Sequence, residues 1–257
     1  MARKVKYTAK VSEISWITED VFSLWLENKD AAAEAMPGQF AELYCNDKSR
    51  LLPRPISICD VDEENGRIRF CIRAVGAGTH EFSALKVGDT VKMVAPLGNG
   101  FKYKDCKNAL IVGGGVGIFP LLLLTKKLTG KKTVVLGYRT EPFFVDEFKN
   151  AGAEVLIATD DGSVGTKGTV IDCIKENSLT ADSIFACGPM PMLRGLKALG
   201  EENEINTQLS LEERMACGLG ACLGCVVKTP DIDGHSYVNN KRVCKDGPVF
   251  LSTEVVL

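Results

Sequence analysis

The stretch Ala109-Leu110-Ile111-Val112-Gly113-Gly114-Gly115-Val116-Gly117 divides the chain in two. Its four apolar residues run without alternation, the pattern of a strand buried on both faces. Glycines follow at once, then an apolar helical stretch over 118–128. Strand, glycine turn and helix in that order open a nucleotide-binding α/β unit, because glycine lets backbone and ligand come close where a helix begins. Strands at 133–136, 154–158, 183–186 and 206–209 then alternate with helices at 145–151, 169–177 and 190–199. This alternation predicts a doubly wound parallel nucleotide-binding domain over 103–210, its ligand at the carboxyl ends of the strands.

The glycine run is not a full G-x-G-x-x-G, since Pro120 stands where the third glycine belongs. Tyr138-Arg139 ends the second strand where an acidic residue is usual. A second turn of similar kind, Cys187-Gly188-Pro189-Met190, also joins a strand to a helix. Candidate dinucleotide contacts are therefore Gly113, Gly114, Gly115, Gly117, Cys187, Gly188 and Pro189. Asp160-Asp161-Gly162-Ser163 reads as a polar turn.

Upstream, over 1–102, the pattern is all-β. Strands are expected at 5–17, 21–26, 39–45, 56–60, 67–74 and 90–95, with Gly and Pro between them. Six short strands predict a small antiparallel barrel. Two of its stretches carry chemistry. Arg54-Pro55-Ile56-Ser57 holds a guanidinium fork and a hydroxyl beside a rigid proline. Gly76-Ala77-Gly78-Thr79 precedes a short helix expected over 80–85, with Thr79 as its N-cap and an anion-binding start. Taken alone, the first reads as an edge strand with a solvated Arg before it reads as a ligand site, and the second as a capped surface helix.

Downstream, over 211–257, the sequence R-M-A-C-G-L-G-A-C-L-G-C at 214–225 is followed by K-R-V-C-K-D-G-P at 241–248. Cys217, Cys222, Cys225 and the distant Cys244 form C-x4-C-x2-C…C, the plant-type ligand spacing of a [2Fe-2S] cluster. Gly218, Gly220, Ala221 and Gly224 keep the loop small enough for three thiolates to converge. Zinc prefers paired C-x2–4-C knuckles or histidine, and the one histidine here, His235, reads as part of a polar turn. Disulfides would need an oxidising compartment.

The composition is that of a globular protein: 257 residues, 45% hydrophobic, 25% charged, net charge −2. No basic stripe suggests nucleic acid. No apolar run approaches the ~20 residues that span a bilayer. The start, with positive charge but no apolar run behind it, does not read as a secretory signal. Of ten cysteines, the six outside the cluster set (Cys45, Cys59, Cys71, Cys106, Cys173, Cys187) read as buried free thiols, which fits the reducing cytoplasm.

Barrel, nucleotide domain and cluster segment, in this order, resemble the ferredoxin–NAD(P) reductase superfamily. R-P-I-S at 54–57 is similar to its R-x-[YF]-S flavin motif, with Ile56 in the aromatic's place. The wording of the C-terminal segment narrows the resemblance to the electron-transfer subunits of dihydroorotate dehydrogenase B. That resemblance implies a flavin-binding barrel holding FAD at Arg54, Pro55, Ile56, Ser57, Cys71, Ile72, Arg73, Gly78 and Thr79. It implies a [2Fe-2S] module with ligands Cys217, Cys222, Cys225 and Cys244, and NAD on the α/β domain. It also implies an FMN-containing catalytic subunit that oxidises dihydroorotate, in a heterotetramer of two plus two. NAD takes a hydride, a cluster moves single electrons, and FAD does both, so FAD belongs between them and no catalytic side chain is required. Two rivals remain: another NAD(P)H–ferredoxin or sulfur-compound reductase subunit, and a non-enzymatic zinc- and nucleotide-binding module.

Overall fold

A computed structural model describes residues 5–232, 234 and 237–257; His235 and the first four residues lie outside it. The first third of the chain is a closed barrel. Its strands are β1 (Val5–Trp16), β2 (Val21–Glu27), β3 (Phe40–Tyr44), β4 (Arg54–Asp62), β5 (Arg67–Arg73) and β6 (Thr90–Leu97), hydrogen-bonded in the order β1-β2-β5-β4-β3-β6. All six ladders are antiparallel. Alternation points Phe22, Leu24 and Leu26 of β2 inward, where they meet Ala41 and Leu43 of β3 and Ile68, Phe70 and Ile72 of β5.

Two short helices decorate the barrel. Helix α1 (Lys29–Glu34) has no counterpart in the sequence reading; the Asn28 side chain caps it by accepting from Ala31 N at 2.9 Å. Helix α2 (Ala77–Ser83) starts three residues before the expected position, with Gly76 as its cap. Thr79 is therefore inside the first turn and is not the N-cap. Its Oγ1 reaches back to accept from Val75 N and Gly76 N, each at 3.0 Å.

The α/β part begins with β7 (Asn108–Gly114), which runs into a 3-10 turn at Gly115–Ile118 and α3 (Phe119–Lys127). The expected helix over 118–128 is thus preceded by a tighter turn, and Pro120 sits in its first turn, where a missing N–H costs nothing. Then come β8 (Lys131–Tyr138), α4 (Val145–Asn150), β9 (Glu154–Thr159), β10 (Thr166–Lys167), α5 (Val170–Glu176), β11 (Ser183–Cys187), α6 (Met190–Glu202) and β12 (Asn206–Ser210). The sheet order is β10-β9-β8-β7-β11-β12-β15, where β15 (Val249–Leu251) comes from the C-terminal segment. Every ladder is parallel except β12 with β15. Ala109 and Ile111 face Leu121, Leu122 and Phe148 of α3 and α4. Leu110 and Val112 face Cys173, Ile174, Leu193 and Leu196 of α5 and α6. Helices on both faces make the sheet doubly wound, and its strand order reverses between β7 and β11.

The C-terminal segment adds β13 (Val226–Lys228), β14 (Asn240–Arg242) and α7 (Val243–Asp246) before β15. Its Cys225, Val227, Val243 and Cys244 share one apolar core with Phe40 and Val94 of the barrel and Leu209 of the sheet. Asn99, just beyond the barrel, donates from Nδ2 to Lys245 O and Asp246 O at 3.2 and 3.0 Å. On the other side Arg69 of β5 pairs with Glu147 of α4 at 2.9 Å.

Candidate functional site

The four cysteines expected to hold the cluster fall into two pairs. Cys217 and Cys222 lie on the irregular loop 211–225, with Sγ atoms 3.3 Å apart. The loop turns on Gly218 and Gly220, at φ +60° and +82°, values an L side chain rarely adopts. The N–H groups of Leu219 and Cys222 both donate to Cys217 Sγ at 3.4 Å. Burial alone would raise the Cys217 thiol, but these N–H groups overcome it and hold the pKa at about 6. The second pair is buried, with Cys225 and Cys244 each 1% exposed. The β13–β14 ladder explains how a distant cysteine arrives: it sets Val226 opposite Arg242, which brings Val243 opposite Cys225 and Cys244 next to it. Val243 N donates to Cys225 O at 2.8 Å, and Cys244 N to Cys225 Sγ at 3.4 Å. Burial and the adjacent Cys225 push the Cys244 thiol up to about 12. Each pair has a backbone N–H directed at one of its sulfurs, donor chemistry suited to an iron–sulfur cluster, and among the described residues no three ligating side chains gather around one point as they would for a single metal ion. All ten cysteines are free, but Cys45, Cys106 and Cys187 are only half-buried, because they lie at element ends.

The flavin-motif residues Arg54, Pro55, Ile56 and Ser57 open β4 and are all half-buried, so they present a partly open strip. Arg54 lies across the first turn of α2: a Cβ on Gly78 would come within 2.4 Å of its Nε. A side chain at 78 would push the guanidinium aside, so Gly78 lets Arg54 lie over the helix start, where it can meet a phosphate. The Thr79 hydroxyl is occupied with the turn before the helix. On β5, Ile72 turns into the barrel core, so only its backbone is available to a ligand. The Cys71 Sγ lies 3.6 Å from Cys59 Sγ, and Arg73 pairs with Asp20 at 3.0 Å.

The dinucleotide glycines meet at the switch point. Gly113 of β7 lies in register with Cys187 of β11. Most of these glycines serve the packing of the two turns. A Cβ on Gly117 would sit 2.5 Å from Cys187 O, one on Gly188 would sit 3.0 Å from Gly114 N, and one on Gly114 would lie 3.0 Å from Pro189 Cδ. Gly115 differs, at φ +56° and with no atom within 4 Å of its Cβ position, so its face is open. The Cys187 thiol is pushed by burial up to about 12, despite a hydrogen bond with Ser210. At the end of β8, Tyr138 is buried and donates to Phe143 O at 2.6 Å, while Arg139 is exposed. Asp161 accepts from Ser163 N and Oγ at 3.0 and 2.7 Å, closing the polar turn read from the sequence.

One residue of this region escapes a motif search. Glu42, mid-strand in β3, is 1% exposed, and neither carboxylate oxygen has a hydrogen-bond partner. Burial first, then the nearby Cys217, raise its pKa to about 7 against the pull of Arg54. Its signal was an acid inside the apolar run Phe40-Ala41-Glu42-Leu43-Tyr44.

Comparison with known proteins accords with this geometry. Residues 8–103 match the oxidoreductase FAD-binding domain, and residues 212–256 match the iron–sulfur cluster binding domain of dihydroorotate dehydrogenase B. The dihydroorotate dehydrogenase B (NAD+) electron transfer subunit of Caldanaerobacter subterraneus is 42% identical over 252 residues, 98% of each chain. The chain belongs to this family. The corresponding subunit of Bacillus caldolyticus is 43% identical, over 94% of this chain and 95% of that one. Among solved structures, an NADH-dependent reduced ferredoxin–NADP oxidoreductase superposes with TM-score 0.86 at 34% identity, covering 96% of this chain and 89% of that one. The ferredoxin reductase of carbazole 1,9a-dioxygenase (TM-score 0.66, 20% identity, 78% of this chain and 66% of that one) shares the fold. The two family matches fall on the barrel and on the C-terminal cysteine segment. Among the described residues no helix is long and apolar enough to cross a membrane.

Proposed function

We propose that the chain passes electrons from an FMN-containing dihydroorotate dehydrogenase subunit to NAD+, in the formation of orotate for pyrimidine synthesis. The observation that carries this reading is the core shared by Cys225, Cys244, barrel residue Phe40 and sheet residue Leu209, which joins three cofactor-bearing regions in one body. The proposed units are a FAD-binding barrel (1–102), an NAD-binding domain (103–210) and a [2Fe-2S] module (211–257). When bound, the cluster supplies single-electron transfer, FAD converts single electrons to a hydride, and NAD+ accepts it.

The chain's own residues position these groups. Arg54 neutralises phosphate beside Gly78, and Ser57 offers a half-exposed hydroxyl. The backbone N–H groups of Leu219 and Cys222 stabilise the thiolate of Cys217. The open face at Gly115 admits the dinucleotide where the strand order reverses. The partner stoichiometry is two plus two, and the free thiols suit the cytoplasm.

Co-expression with the catalytic subunit and a Cys222→Ser change tests the reading. Cys222 is preferred to Cys225 because it lies on the half-buried loop and outside the shared core. The assembled variant should keep FAD and NADH–dye reduction but lose NAD+ reduction by dihydroorotate. Normal coupled rates without iron would refute the relay. Failure of any FMN protein to co-purify would favour a reductase of another pathway.

A further inference from the structure

We propose that Arg69, on the outer face of the barrel, is a positioning residue for the nicotinamide dinucleotide. It reaches across to the α/β domain and props the loop and the helix start that flank the dinucleotide turn. This rests on the reading that NAD enters at the open face of Gly115 while FAD lies on the barrel.

Ile68 and Phe70 of β5 point into the barrel core, so Arg69 between them points outward, toward the α/β domain. Its guanidinium is engaged on both sides. Nε donates at 2.8 Å to Ser23 Oγ of β2, a buried hydroxyl, and Nη1 donates at 2.9 Å to Glu147 of α4. The same group lies 5.6 Å from the ring centre of Trp25, in the barrel, and 5.1 Å from that of Phe144, in the α/β domain. A planar fork serves two acceptors and two rings at once, which the point charge of a lysine does not. Phe144 carries the contact onward. It caps α4 at φ +65°, a left-handed value that a bulky residue keeps only where its surroundings fix it. Its ring stands edge-on to Phe119, with centroids 5.0 Å apart. Phe119 is buried and opens α3 directly after the turn Gly115–Ile118. Phe143 also packs near Phe119, at 6.0 Å, and its carbonyl accepts from Tyr138 at the end of β8. A line of packed groups thus runs from the barrel, through Arg69 and Phe144, to the helix start behind Gly115, at the carboxyl ends of β7 and β8. Lys126, in the last turn of α3, pairs with Asp60 of the barrel across the same interface but lies at the far end of the helix from that turn.

The test is calorimetric titration of NAD+ into the oxidised, FAD-loaded protein, with stopped-flow reduction of the FAD by NADH beside it and FAD and iron assayed first. Arg69→Ala should keep FAD and iron, bind NAD+ about tenfold more weakly and slow flavin reduction by about tenfold or more. Phe144→Gly suits the backbone but removes the ring, and should do the same. The double variant should be no worse than the more affected single one, because both cut one line of contacts. Lys126→Ala should lower the melting temperature and leave NAD+ affinity unchanged. Three outcomes would overturn the proposal. One is a loaded Arg69→Ala protein with wild-type NAD+ affinity and flavin reduction, whatever its melting temperature. Another is an equal loss of NAD+ affinity in Lys126→Ala, which would mean general loosening of the interface. The third is full additivity of Arg69→Ala and Phe144→Gly. If Arg69→Ala does not fold, Glu147→Ala cuts the same tie from the half-buried α4 side, and unchanged NAD+ affinity there would overturn the proposal equally. A wild type that neither binds NAD+ nor is reduced by NADH would instead sink the dinucleotide reading itself.

Discussion

The barrel and the cluster segment are held in opposite ways. Every barrel strand pairs with two neighbours and the ladder closes on itself, so no edge remains and the apolar interior is shared by many residues. The loop 211–225 contains neither helix nor strand. Its fixed points are sulfurs accepting backbone N–H groups and the Arg242 guanidinium donating to Gly220 O at 2.8 Å. A ladder tolerates the loss of one member by degrees. A loop whose geometry serves four sulfurs depends on each of them, because metal binding and local order are coupled. The contrast continues inside the segment: one cysteine pair sits on the half-buried loop and the other is built into the core between barrel and sheet.

The largest expected effect comes from Cys225→Ser or Cys244→Ser. Each should abolish the cluster and also lower the melting temperature well below that of Cys222→Ser, which only loses the cluster. Equal melting losses would erase the distinction between loop pair and core pair. Both classes should retain FAD, because the barrel does not need the segment's sulfurs. The reciprocal change is Arg54→Ala. It should weaken FAD binding by about 1.5–3 kcal/mol, the size of a charge-assisted hydrogen bond, while leaving iron content unchanged. Full FAD affinity in a flavin titration would return Arg54 to the solvated surface.

Two glycines sharpen the comparison further. Gly218→Ala meets both an unfavourable φ and the Glu42 carboxylate, so a loss of roughly 1–3 kcal/mol is expected in urea unfolding, with reduced iron. Gly115→Ala meets a similar φ but open space, so only the backbone part, about 1 kcal/mol, should be lost. The smallest effect concerns reactivity and leaves stability untouched. With the cluster removed by chelation, Cys217 should be the first of the four alkylated by iodoacetamide near neutral pH. Its pKa of about 6 lies below the ordinary thiol value, so it is thiolate above that pH and its labelling should fade as pH falls through it. Cys244, at about 12, should remain unlabelled across this range.

Much of this was legible beforehand. The six barrel strands follow from short alternating runs between Gly and Pro, and five strands of the parallel sheet follow from apolar runs followed by helices. The β15 strand was not legible, because three residues, Val249–Leu251, carry no period and become a strand only by pairing with β12. The two-residue strand β10 escaped for the same reason. The start of α2 is not legible along the chain because Thr79 is a good cap in isolation, whereas in the fold its hydroxyl already serves Val75 and Gly76 from the third helical position. The glycines of 113–117 and 188 read as ligand contacts, yet most of them meet neighbouring backbone or side chains first.

The chemistry of this protein is written along the chain. Cysteine spacing and small intervening residues specify a two-iron site because thiolate count and loop size are local properties. Strand and helix periods specify barrel and wound sheet because side-chain direction repeats locally too. How the parts face each other comes from long-range packing. It sorted the cysteines into a loop pair and a core pair, laid Arg54 over Gly78, and pressed the Glu42 carboxylate against Gly218. Those contacts join residues dozens of positions apart, and their energies come from burial and from which dipoles happen to be near, neither of which has a signature along the chain.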